Sequence, residues 1–293
     1  MQGRTRGRTA GWLVLLAIVQ GLAFVALWWV AVRTGRGQSL DTIALAGNTI
    51  GQHRIEDLVD TVLNAMSVLS LLAATAVIGF IALIRGRIAL ALVTTLLIAG
   101  ANVTTQLLKH GLYRPDLGID PERAAVGNTL PSGHTTVAAS VAVALVLVLP
   151  ARVRGWGALL AAGYAALAGV GTLSAGWHRP SDAAAAMLVV GVWAALAGIL
   201  LLLSQHEDAQ VEPQDAHHTA LTVLGLGGLA LVTVAALAVY LTNDVLLIPP
   251  ESLSRRRLFV AYAGSAAGIA GVASLVMALV LTTVHRVVPR HNG

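Results

Sequence analysis

Eight apolar stretches, at residues 11–32, 61–83, 88–108, 135–149, 157–173, 183–203, 220–241 and 259–284, leave this chain little freedom in what it folds into. A helix needs about 20 apolar residues to cross the hydrocarbon core of a bilayer. Inside that core each backbone polar group must be satisfied within its own segment, which selects helices over irregular chain. The prediction is an all-α polytopic transmembrane helix bundle. The stretches at 135–149 and 157–173 are short, and are expected to extend into their flanks.

Composition agrees, with 56% hydrophobic residues, 11% charged and a mean hydropathy of +0.77. A soluble globule carries about 25% charged residues. The formal charge of +5 and pI near 10.4 are compatible with a nucleic-acid partner. However, the cations sit scattered at the ends of apolar stretches and build no basic stripe, so no nucleic acid is expected. Cysteine is absent, which removes disulfides, thiolate metal sites and cysteine nucleophiles. The first stretch follows Arg4, Arg6 and Arg8 but is too long for a signal-peptide core, and reads as a retained helix. The acid-free turns around Arg85 and Arg87 and around Arg152 and Arg154 favour both termini inside. The run Arg255-Arg256-Arg257 argues the other way.

Ser204 to His218 is the one polar segment that reads as a linker. It divides the chain into a six-helix core at 1–203, a linker at 204–218 and a two-helix membrane extension at 219–293. His206, His217 and His218 stand near Glu207, Asp208, Glu212 and Asp215, but with no zinc or calcium ligand spacing, so a solvated linker is the expected reading. His53, Glu56, Asp57 and Asp60 precede the second stretch and form either a cover over a site or a plain polar loop. Gly264 and Gly268 make a small-xxx-small pattern suited to close helix packing, within the chain or in a homo-oligomer.

Three short motifs put costly residues beside membrane segments: KHGLYRP at 109–115, PSGH at 131–134 and GWHRPSD at 176–182. Ionisable groups at such places are functional-site hypotheses. Two crossings separate PSGH from GWHRPSD, so both motifs return to one membrane face whichever way up the chain sits. Lys109, Arg114, His134, His178 and Asp182 are therefore expected to converge. A guanidinium grips two phosphate oxygens at once, which suits Arg114; Lys109 also reads as an interfacial snorkelling residue. Ser132 opens a helix, and the amides of Ser132, Gly133 and His134 would cradle an anion at its positive end. Asp182 lies four residues after His178, with Pro180 at a favoured first helical position between them. It either orients the imidazole as in a nucleophilic triad or serves as a helix N-terminal acid.

Together these residues resemble the type 2 phosphatidic acid phosphatase superfamily, over about residues 11–203. That family's pattern is a lysine and an arginine-proline pair, then PSGH, then a serine-arginine pair, histidine and aspartate. The resemblance implies that His178 attacks phosphorus to form a phosphohistidine, that Asp182 orients it, and that His134 protonates the leaving group and then activates water. It implies that Lys109, Arg114, Ser132 and Gly133 hold the phosphate, with no metal or other cofactor. It further implies a cell-membrane enzyme whose site faces outward and takes lipid phosphates or polyprenyl (pyro)phosphates. Phosphate transfer to another acceptor, or silent binding of a lipid phosphate, are the alternatives.

The chain departs from the pattern twice. Four residues, His110 to Tyr113, separate Lys109 from Arg114 where the family has six, which displaces Lys109 about half a helical turn. Gly171 and Thr172 occupy the place of the serine-arginine pair, so one guanidinium is missing. Arg179 is the expected substitute, with Arg123 a weaker one.

Overall fold

The computed structural model describes residues 2–50, 72, 75–80, 84, 86–120, 127–204 and 217–287. Among them the regular structure is helical: α1 (Gln2–Arg33), α2 (Gly35–Ala46), α3 (Ile88–Gly111), α4 (Gly133–Val148), α5 (Ala151–Ser174), α6 (Pro180–Ser204), α7 (His218–Thr242) and α8 (Arg255–Val287), with short 3-10 turns between some of them. Six of these, α1, α3, α5, α6, α7 and α8, are long and apolar enough to cross a membrane. The fold is an all-α polytopic bundle and the molecule is a membrane protein. The stretch at 135–149 extends only to Gly133–Val148, whereas that at 157–173 becomes the 24-residue α5. The expected crossing at 61–83 lies mostly outside the described residues, as do Arg123, the polar loop at 53–60 and most of the linker.

Local chemistry sets the helix ends. The Ser132 hydroxyl accepts from the Thr135 N–H and caps α4. Thr34 accepts from the Gly37 N–H, which starts α2 one residue after α1 ends. Pro180 and Asp182 open α6 in the first turn, as their preferences dictate.

Helix α6 is the axis of the molecule, packing against α1, α3, α4, α5 and α8. Between helices in lipid there is no bulk hydrophobic drive, so close packing of small residues and interhelical hydrogen bonds hold the bundle. The buried faces are accordingly alanine-rich: Ala138, Ala139 and Ala142 on α4, Ala158, Ala161 and Ala165 on α5, Ala183, Ala185 and Ala186 on α6. Large side chains such as Leu160, Leu167 and Leu203 point outward instead. At Gly100 the Trp193 ring of α6 lies so close to the α3 backbone that a Cβ would overlap it. The Trp193 indole N–H donates to Thr104, and Thr105 shares a 2.9 Å hydrogen bond with Thr136 of α4.

The two helices after the linker are not peripheral in the same degree. Helix α8 packs on α5, α6 and α2 as well as on α7, while α7 presents most of its surface outward. A Cβ at Gly264 would overlap Ala238, and one at Gly268 would press on Ala235, so the small-xxx-small pattern is used within the chain to join α8 to α7.

Candidate active site

The site forms where α3 ends and α4 and α6 begin. After α5, the backbone reverses at Gly176, whose φ of 71° lies in the left-handed region that glycine tolerates. The carbonyl of Thr172 then accepts from the N–H groups of both Trp177 and His178, fixing the turn that carries the nucleophile candidate. The Thr172 hydroxyl donates back to Gly169, so this side chain stays within its own helix.

Asp182 is fully buried, and its Oδ2 accepts three hydrogen bonds: from Thr129 Oγ1 at 2.7 Å, His178 Nδ1 at 3.1 Å and the Arg179 N–H at 3.1 Å. An ionised carboxylate only accepts, so Nδ1 of His178 carries the proton and Nε2 presents its lone pair. The ring of His134 stands 6.5 Å from that of His178, centroid to centroid, and 5.3 Å from the indole of Trp177. The two imidazoles predicted to meet across more than forty positions of sequence do so.

Two buried cations lie beside them. Arg114, 7% exposed, has neither Nη1 nor Nη2 hydrogen-bonded within the protein among the described residues. Burial, then the neighbouring Arg179 guanidinium, pull its pKa below the ordinary arginine value, against the opposite influence of Asp41, Asp182 and Asp120. Arginine nonetheless keeps its charge in proteins, so Arg114 is a buried cation with two donor nitrogens not engaged by the described residues. Arg179, 2% exposed, donates to Asp120 at 3.1 Å through one Nη and leaves Nε without a protein acceptor. Lys109, half-buried in the last turn of α3, lies within electrostatic reach of Asp182 and His134.

The expected amide cradle needs correction. The Ser132 N–H is spent on the carbonyl of Asp182 at 2.9 Å, which ties the start of α4 to the start of α6, while the Ser132 hydroxyl oxygen accepts from the Thr135 N–H and hydroxyl and keeps its own proton to donate. The amides of Gly133 and His134 remain, with no intrahelical acceptor in the first turn.

Three contributors carried no sequence signal. Thr129 and Asp120 sit in the irregular segment between α3 and α4, and only the fold brings them to Asp182 and Arg179. Asp41 comes from α2, where it accepts the Ser181 hydroxyl and, at 3.3 Å, the Ser181 N–H. Burial lifts its pKa from 3.8 to about 6, opposed by the Ser181 hydrogen bond and raised further by Asp182. Gln38 secures α2 there by donating to the carbonyls of Val32 and Pro115. A lone acid within SLDTIAL announces nothing about a partner 140 positions away.

The arrangement offers a nucleophilic nitrogen, a second imidazole for proton transfer, and buried cations for an oxyanion. No group of three or more His, Asp or Glu residues suited to a metal occurs among the described residues. Compared with known proteins, residues 86–203 match the family model described as PAP2 superfamily. No curated protein and no solved structure matches the chain.

Proposed function

With residues 86–203 matching the PAP2 superfamily model, and phosphate-ester hydrolysis the activity that this match implies, we propose that the chain hydrolyses a lipid phosphate or a polyprenyl (pyro)phosphate through a phosphohistidine. The observation that carries this reading is the pair of unpartnered Arg114 Nη groups, buried beside an imidazole whose tautomer Asp182 sets. A buried cation with no anion is costly, and a phosphoryl group supplies what it lacks.

In this mechanism Arg114, Arg179, Lys109 and the amides of Gly133 and His134 hold the non-bridging oxygens. Nε2 of His178 attacks phosphorus, the N–P bond forms as the P–O bond to the leaving group breaks, and protonated His134 gives its proton to the departing oxygen. His134, now neutral, takes a proton from water as that water attacks phosphorus. The N–P bond breaks and inorganic phosphate leaves. Asp182 stays ionised and stabilises the charge that develops on His178. The proposed setting is the plasma membrane, with the site on its outer face.

Purified protein in detergent, offered phosphatidate, phosphatidylglycerol phosphate and polyprenyl pyrophosphate, should release phosphate, and His178→Ala should not. Equal release by both would overturn the assigned nucleophile. Opposite protonation requirements of His178 and His134 should give kcat/KM a bell-shaped pH profile.

One observation favours a second reading, a silent lipid-phosphate binder. Thr172 stands where the family pattern has arginine and its hydroxyl is bonded within α5, while Arg179 is already engaged by Asp120. That reading expects saturable lipid binding with no phosphate released from any of the substrates.

A further inference from the structure

A second space lies between α6 of the family-matched block and helices outside that block. A cavity of about 320 Å³ is bounded by residues 27–31 of α1, 37–44 of α2, Pro180, Ser181 and Ala184 of α6, residues 232–242 of α7 and residues 261–272 of α8. Among the described residues its walls are largely aliphatic and small, with Asp41 the one charged group. Asp41 and Ser181 bond each other there, so water filling the space would find few open partners.

Position and size limit what fits. The lining covers the C-terminal end of α1, the first turn of α6, the C-terminal part of α7 and the N-terminal part of α8, which are the ends that share a level with His178. Ten residues of α7 rise about 15 Å, half of a hydrocarbon core about 30 Å thick, so the cavity occupies one leaflet, on the side of the phosphate site. A space of about 320 Å³ with aliphatic walls has room for a segment of a hydrocarbon chain. Pro180 and Ser181 form its wall, and Asp182, the next residue, holds the nucleophile.

We propose that this cavity, completed by α7 and α8, seats one hydrocarbon chain of the lipid whose phosphate occupies the site beside His178, and so selects substrates by chain. The inference rests on the lipid phosphatase reading above for the headgroup, but chain seating can be read without chemistry.

The test uses the full chain in detergent with a non-hydrolysable phosphonate analogue of phosphatidate carrying a diazirine on one acyl chain. Photolysis should place adducts on lining residues such as Val232, Val239, Ser265 and Val272, and excess unlabelled analogue should suppress them. Ser265→Phe, which fills the space, should lower labelling of α7 and reduce kcat/KM for the long-chain substrate by about tenfold or more, with release from para-nitrophenyl phosphate unchanged. Adducts confined to other helices, or equal labelling by a diazirine phosphatidylcholine, would overturn the proposal. Phosphate release without labelling at the cavity would sink this inference alone. Labelling in a protein that releases no phosphate would sink the hydrolase reading and leave the chain seat standing.

Discussion

Asp182 concentrates three donors on one oxygen, and its replacement separates orientation from structure. Asp182→Asn should lower kcat by about 10³-fold or more, because the amide no longer enforces the Nδ1–H tautomer. Thr129→Val, which removes only one of the three donors, should cost far less, and phosphate-release kinetics on the two variants would compare them. Arg179→Ala should reduce kcat by about 10²- to 10³-fold if its guanidinium replaces the missing one, with a thermal midpoint close to wild type; unchanged turnover would reject the substitution. Asp41 makes a pH prediction. Burial raises its folded-state pKa from 3.8 to about 6, so its contribution to stability is complete below 3.8 and is lost as pH rises through about 6. Asp41→Asn lacks that step, so its melting temperature should gain on wild type as pH rises from about 5 to about 7.5. A constant gap would refute the burial argument. The spacing of His178 and Asp182 made their pairing legible because Pro180 starts a helix between them and sets Asp182 in its first turn, beside the residues that lead into it. Thr129, Asp120 and Asp41 were illegible because nothing local distinguishes them from ordinary polar residues.

At the scale of the helix, the start of α4 joins two roles the sequence could not tell apart. Serine before glycine suits an N-cap and an anion cradle alike, and the packing of α6 decides between them by drawing the Ser132 N–H to Asp182. Ser132→Ala should therefore destabilise the protein by about 0.5–2 kcal/mol, read by thermal denaturation. A loss of turnover without that destabilisation would return Ser132 to the phosphate-binding set. Six of the eight expected crossings were readable because apolar runs of bilayer length have few other uses, whereas the run at 135–149 forms a shorter helix and that at 61–83 lies mostly outside the described residues. Helix α2 was not readable, since its 12 residues are too few to cross a bilayer and its start depends on a single threonine after α1. The joining of α7 to α8 was readable as a small-residue pattern, though not whether it acted within or between chains.

For the molecule as a whole, α8 covers α5 and α6, which carry the nucleophile's turn and its orienting aspartate. A chain ended at Ser204 exposes those alanine faces and should show a lower thermal midpoint and little phosphate release. An undiminished midpoint would make the linker a true domain boundary. Order of manufacture adds a consequence. Translation delivers α6 well before the helix that shields it, so until α8 follows, the alanine seams of α5 and α6 stand open to lipid and to neighbouring spans.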